Sequence, residues 1–496
     1  FGSSAHLSQE EFVLPPLPVV SAAACSSSCI TSCYIHPCCP SRCHSSSPQA
    51  LQLQSASRAM NMELGSVVNE PAGAKAMAGN AKQVVEIMAD CRSDAAAQIR
   101  GMRSFQMMLE FGAVQQKLLT KAGACEALTA AMTSHASNLE LQGHAALTVA
   151  LLSQGPCQEA QAALLSCGAT ECLLSALRSG LAGSAPIDEL VASSMTGLAT
   201  LCQSNYRGCQ QAVEFGVPRV VLEAMSIDFA DSLVLEHAFE LVETLALAMS
   251  AKIPEQREGP NPGPNAADAE PVFGGCELIE LVTAVLSGSK GFPKDPQLQI
   301  SCCNVIRSLA ELALKAGDKS LLQDPTWILQ TAEMLPPPFS ASVGISRLAS
   351  PCLSALAAGA QLDRSLSDTL LTARRLPSCL LDAVQRATGA GKRFVALRAP
   401  CRLISALCEA SGEAAAGSLA DAGLIAILVE ALDLSRSQQT IQDDLVKSLH
   451  AMVKTGCERA LLALAETSFA GQAEASTTTK RMLLKELQDR LEHRAR

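Results

Sequence analysis

Six cysteines fall between Cys25 and Cys43 in the spacing C-x3-C-x3-C-x4-C-C-x3-C-H, with His36 inside the cluster and His44 at its end. Thiolates and imidazoles are ligands that zinc prefers, and structural zinc sites usually pair them as C-x2-4-C with a second pair further on. The spacing permits such a site, although the chain holds no C-x-x-C. Lipid attachment to cysteine is a second reading. A low-complexity tail is the third, and the Ser-rich, Pro-punctuated surroundings favour it. No metal ligand is assigned.

ATGAGKRF around Gly391 and Lys392 has the look of a phosphate loop. That loop needs a Gly five residues before the second Gly and a Ser or Thr after the Lys, and Arg386 and Arg393 occupy those positions. The chain has no G-x-S-x-G, no H-E-x-x-H, and no His, Asp and Ser grouping that spacing would bring together. His135, His144, His237 and His450 lie in or beside apolar helical segments, where a hydrogen-bonded packing role is the simpler reading. No catalytic residue and no cofactor are expected, and we read the chain as a non-enzyme.

What remains to explain is a scaffold without visible chemistry. Hydrophobic residues make up 48% of the 496, but aromatics only 3%, with one Trp and two Tyr. A core of small and aliphatic side chains suits closely packed helices better than a β-sandwich. The net charge of −10 argues against phosphate backbones and anionic lipid as partners, so neither nucleic acid nor a membrane surface is expected. No apolar run reaches the roughly 18 residues of a spanning helix; the strongest candidates are cut by Asp421, Glu243 or His144. Fifteen further cysteines scatter through the helical region at positions that also accept Ala or Leu, which points to a reducing compartment and a cytoplasmic location.

Three regions follow from composition: 1–79, Ser/Cys-rich and expected to be disordered; 80–470, helical; and 471–496, a charged amphipathic tail. The chain opens with Phe1 and its first methionines are Met60 and Met62, so we expect either a processed or truncated chain or an untranslated stretch over 1–59. Residues 12–25 lack the basic start of a secretory signal, and Pro15, Pro16 and Pro18 interrupt their apolar run.

Within the helical region four stretches align without gaps: KAGACEALTAAM, SCGATECLLSAL, EFGVPRVVLEAM and DAGLIAILVEAL, with glycines at 123, 168, 216 and 423. Each has Leu or Val five residues after the glycine, Ala eight after and Leu or Met nine after. This pattern predicts a helix ended by a left-handed glycine and followed by a second, amphipathic helix. Weaker copies at Gly275, Asp324 and Leu376, with an atypical unit near Asn80, give about eight units at steps of 45 to 59 residues. A longer, almost wholly apolar helix follows in each, such as LELQGHAALTVALL from Leu139, and must be buried on both flanks. A short helix then leads to the next glycine, making three helices per unit. The longest step contains residues 252–273, whose five prolines predict an exposed loop in place of a first helix.

AAMTSHASNLELQGHAAL, from Ala130 to Leu147, resembles the armadillo-type repeats of the large leucine-rich-repeat kinases and of small armadillo proteins, a resemblance that covers roughly 80–465. It implies an all-α, right-handed superhelical solenoid that binds protein partners along a concave face lined by third helices. Carried over onto this chain, the partner-facing position falls at or beside Leu152, Thr200, Thr244, Glu311, Glu409 and Ala451. The regular Asn that armadillo import receptors present there to an extended peptide is absent, and Trp327 lies in a degenerate second helix. We therefore expect a protein-binding scaffold. An adaptor capturing extended peptides is the alternative, and an exchange-factor-type surface the third possibility. The tail, with Leu484, Leu487 and Leu491 at 3,4 spacing, is expected to cap the last repeat, or else to self-associate.

Overall fold

The computed structural model describes residues 71–495 apart from 156, 183–186, 228–230, 258–272, 274–275, 337–342, 390–393 and 468–477. The cysteine cluster, Gly275, Gly391 and Lys392 lie outside the described residues. The chain divides into two units, Phe1–Asn80 and Ala81–Arg496. Of the first, only the beginning of helix α1 (Pro71–Asp90) is described.

Among the described residues there are 23 α-helices and no strand, only one isolated bridge between Phe273 and Cys276. After α1 comes α2 (Ala95–Leu109), and then three complete triplets. These are α3 (Ala113–Ala122), α4 (Ala124–Ser134) and α5 (Leu139–Ser153); α6 (Gln158–Ser166), α7 (Ala169–Leu181) and α8 (Asp188–Cys202); and α9 (Tyr206–Glu214), α10 (Val217–Met225) and α11 (Ser232–Arg257). Two units with two described α-helices each follow, α12 (Leu278–Gly291) with α13 (Pro296–Ala316), and α14 (Thr326–Glu333) with α15 (Val343–Leu362). In the second of these a 3-10 turn at Ser320–Leu322 stands where a first helix would be. The array closes with α16 (Arg364–Leu371), α17 (Leu376–Thr388) and α18 (Arg398–Ser411), then α19 (Glu413–Asp421), α20 (Leu424–Leu434) and α21 (Gln439–Lys454), and finally α22 (Glu458–Ala465) and α23 (Thr478–Ala495).

The four glycines at 123, 168, 216 and 423 all take left-handed φ, between 78° and 92°, and each ends one helix and begins the next. Only glycine adopts this conformation without steric cost. Phase along the second helix is then fixed. The residues five, eight and nine after each glycine are all buried: Leu128, Ala131 and Met132; Leu173, Ala176 and Leu177; Val221, Ala224 and Met225; Leu428, Ala431 and Leu432.

Third helices stack as consecutive neighbours, α2 on α5, α5 on α8, and so on through α11, α13, α15, α18 and α21 to α23. Every interior member is flanked on both sides. In α8 only Asp188, Glu189 and Ser193 escape burial. One hydrophobic cluster runs from Ala81 to Leu487, so each unit completes its core with its neighbours' side chains. The fold is an all-α solenoid of armadillo-like repeats.

Two expectations are corrected. Helix α11 continues to Arg257, so residues 252–257 belong to a helix, while residues 258–272 of the expected loop lie outside the described residues. Only Pro254 falls within those residues, where it removes one backbone donor, whereas the other four prolines come later, from Pro260 to Pro271. In the tail, the buried leucines are Leu483 and Leu487, with Leu484 half-buried; the side chain of Leu491 lies outside the described residues.

Glycine-to-alanine changes separate backbone conformation from packing. Gly168 has φ +81°, and Gly143 is helical in α5 with nothing within 4 Å of an added Cβ. In urea unfolding, Gly168→Ala is expected to destabilise by about 1–2 kcal/mol, whereas Gly143→Ala should stabilise by up to about 1 kcal/mol. Equal effects of one sign would refute the assigned helix junction.

Candidate partner-binding surface

A third helix sandwiched on two flanks leaves one narrow edge exposed. In α5 the edge is Glu140, Gly143, His144, Leu147 and Leu151, and in α18 it is Arg398, Arg402, Ser405 and Glu409, both at helical 3,4 spacing. Of the six positions inferred from the resemblance, Glu409 is exposed and Thr244 and Glu311 are half-buried. Leu152, Thr200 and Ala451 are buried, so their side chains face the stack and not a partner. Thr200 is engaged there: Ser153 Oγ donates to its hydroxyl at 2.7 Å, and Gln161 Nε2 donates to its carbonyl at 3.1 Å.

Polar side chains join successive third helices. Arg103 on α2 reaches His144 Nε2 on α5 at 3.1 Å, and Gln106 donates to His144 O (3.0 Å) and Thr148 Oγ1 (2.9 Å). Between α8 and α11, Thr196 Oγ1 lies 3.1 Å from His237 Nδ1. Arg307 on α13 meets Glu243 on α11 at 3.5 Å, and Lys315 donates to Ser250 O at 3.3 Å. Burial raises the Glu243 carboxyl above its usual range; Arg307 opposes that rise and Glu240 adds to it. Burial, then the neighbouring Asp231, likewise raises Asp188.

Buried glutamines complete the frame. Gln98 donates to Met88 O and Cys91 O, Gln142 to Met132 O and His135 O, and Gln299 to Ser289 O and Phe292 O, in every case ten and seven residues back. Each amide thus satisfies carbonyls at the end of the preceding second helix, which the helix itself leaves unpaired. Four residues before each glutamine stands the cap of its own helix: Asp94, Asn138 and Asp295 accept from the first-turn amides. This D/N-x3-Q spacing at 94/98, 138/142 and 295/299 is a sequence signal for the start of a third helix that the glycine pattern does not contain.

The last rung is α23 against α21. His450 Nε2 lies 2.7 Å from Glu486 Oε2, Arg490 pairs with Glu486 at 3.1 Å, and Arg490 also donates to Lys454 O at 3.0 Å. Burial alone would raise the Glu486 carboxyl, but hydrogen bonds from His450 and Arg490 outweigh it and hold the group below the usual carboxylate range.

The fifteen described cysteines are free, and most are buried. Burial pushes Cys125, Cys401 and Cys408 up to about 12, far from the thiolate form that a nucleophile or metal ligand needs. Among the described residues no three or more His, Cys, Asp or Glu come together as a metal site. Two clefts open between second helices: one of about 550 Å³ between α10 and α12, walled by Arg219, Leu222, Met225 and Ile279, and one of about 350 Å³ between α1 and α4, walled by Val85, Met88 and Ala127. No single described helix is long and apolar enough to cross a membrane; the bent pairs α6 with α7 and α19 with α20 pass that test only when taken together.

No family model matches the sequence, and no curated protein matches it. Among solved structures, the chain is similar to a beta-catenin structure from work on a phosphorylation switch controlling its interaction with cadherin, at 11% identity and a TM-score of 0.53, over 88% of this chain and 91% of that one. Two engineered proteins align at 18% identity and a TM-score of 0.40 over 56% of this chain, covering 97% and 96% of their own. The first likeness shows an armadillo-like helical repeat fold.

The Glu486 pairing has a pH sign that can be measured. A carboxylate held below its ordinary range stabilises the folded contact above about pH 4.3, the usual value for Glu, and that contribution is lost as pH falls through the depressed folded value. Amide exchange across α23 should therefore be faster in Glu486→Gln than in the native chain at pH 7, with the two converging in strong acid. Identical protection at pH 7 would mean that the pairing does not hold the helix.

Proposed function

We propose that this chain is a non-catalytic scaffold that holds other proteins along the exposed edges of its third helices. The observation that carries the proposal is the ladder itself: consecutive helices, locked by burial and by polar bridges, each presenting one strip of side chains at a fixed spacing. A preformed strip costs a partner little ordering entropy. Its side chains change from rung to rung, from Glu140 and Glu189 near one end to Arg402, Glu409 and Lys447 near the other, which would give a partner a register to read. Kinship with the repeats of the large leucine-rich-repeat kinases belongs to this reading and rests on residues 130–147.

Capture of extended peptides is the weaker reading. Across the third helices α2 to α23 the sequence holds one asparagine, Asn304 on α13, so a bound strand would find no regular series of side-chain amides for its backbone. The free buried thiols favour a reducing compartment such as the cytoplasm. The polar outer side of α23, including Arg481, Lys485 and Gln488, fits a terminal cap better than a self-associating seam.

The test compares two charge-reversed full-length chains as bait, with bound proteins identified by mass spectrometry. One carries Arg402→Glu, Glu409→Lys and Lys447→Glu on third helices; the other carries Lys117→Glu, Glu159→Lys and Arg364→Glu on first helices. All six residues are exposed, and exposed changes of this kind typically cost within about 0.5 kcal/mol. Partners of the native chain should be lost from the first variant and kept by the second. The opposite pattern would place binding on another face.

A further inference from the structure

The contact between Arg103 and His144 has a chemical requirement that the neighbouring rungs lack. A guanidinium can only donate hydrogen bonds. Arg103 Nη2, 3.1 Å from His144 Nε2, therefore needs a lone pair on that nitrogen, which fixes His144 as the neutral tautomer with its proton on Nδ1. A second proton would remove the only acceptor and set two cations about 3 Å apart. Arg103 would keep Glu140, at 3.6 Å, but both those side chains are more than half exposed, and an ion pair of that kind contributes little.

We propose that His144 is a proton-sensitive fastener between the first two rungs of the ladder: neutral, it ties α2 to α5, and protonated, it releases Arg103 and loosens α2. Three charged groups bear on the imidazole: Arg103 on α2, Glu140 one turn earlier on α5, and Glu189 on α8. Burial, and then Arg103, hold His144 below the ordinary histidine value, while the two carboxylates pull the other way. The sign follows. With its proton affinity lowered by folding, His144 lets the unfolded or opened form bind a proton that the closed form resists. The contact is therefore at full strength above about pH 6.5, the usual histidine value, and weakens as pH falls below it.

His237 offers an internal contrast. It bridges the next pair but one, α8 and α11, at the same sequence separation of 41 residues from its partner. Its neighbours are the Thr196 hydroxyl at 3.1 Å, which can accept as well as donate, and Glu240 at 3.6 Å. The Thr196 hydroxyl donates to Ala192 O at 2.9 Å, so His237 Nδ1–H donates to its oxygen, and a second proton on the other ring nitrogen leaves that bond and the Glu240 contact in place. The two histidines are alike in spacing, and only the first has a partner that excludes the charged form.

Hydrogen exchange on the full chain at pH 7.5 and 5.5, corrected for the intrinsic pH dependence of exchange, decides the matter. The native protein should show severalfold faster exchange across α2 at the lower pH, while α18 is unchanged. His144→Gln, whose amide oxygen can still accept from Arg103 but cannot titrate, should keep α2 protected at both values, and Arg103→Gln should also remove the pH dependence. His237→Gln should leave the acid response of α2 as it is. The proposal is overturned if α2 in the native chain is equally protected at both pH values, or if His144→Gln shows the same acid loss.

Discussion

Burial of each third helix between two others is the constraint from which the rest of the structure follows. A helix as apolar as α8 is not stable alone in water, and a single neighbour would cover only one flank. The second flank is supplied by the next unit, so no repeat has a complete core of its own. Leu173 on α7 belongs to the same arrangement: it is fully buried, and its two methyl groups lie 3.1 Å from where a side chain on Gly197 of α8 would begin. The absence of a Cβ there lets the helices of one unit approach closely enough to close the gap.

Close packing of short helices creates many helix ends, and each end leaves carbonyls and amides unpaired. The chain meets this with glutamines at recurring positions. Gln98, Gln142 and Gln299 serve the ends of second helices, and Gln116 and Gln161 serve the ends of third helices, Gln116 through Leu151 O and Gln154 O. Amides used in this way are committed to the frame. The exposed edges are left with charged and aliphatic side chains, such as Leu247 and Leu314 at 45% and 43% exposure, which suit contact with a folded surface.

The sequence was most legible where one residue type has one physical meaning. A glycine in the left-handed conformation fixes the start of the following helix, so the residues five, eight and nine after it could be placed without ambiguity. Third-helix edges were harder to place for the opposite reason. A helix apolar all round has no stripe to mark its exposed side, and each residue turns it by about 100°. An offset of one residue is then enough: Leu151 and His450 reach the surface where Leu152 and Ala451 are buried. The tail shows the same slip, since LLKEL permits either leucine of its first pair to face inward and the structure buries Leu483. Arg103 with His144, and Glu243 with Arg307, could not be read at all. These pairs lie 41 and 64 residues apart and depend on the length of each unit between them.

Repeats that support one another as nearest neighbours fail locally, and hydrogen exchange across the chain after Leu173→Asp tests this most directly. Leu173 is buried on α7, which packs on α6 and α8 of its own unit and on α5 of the unit before it, so the buried carboxylate should collapse protection in α6, α7 and α8, weaken α5 and α11, and leave α18, α20 and α21 as in the native chain. A uniform loss of protection from α2 to α21 would show a single cooperative core and contradict the account.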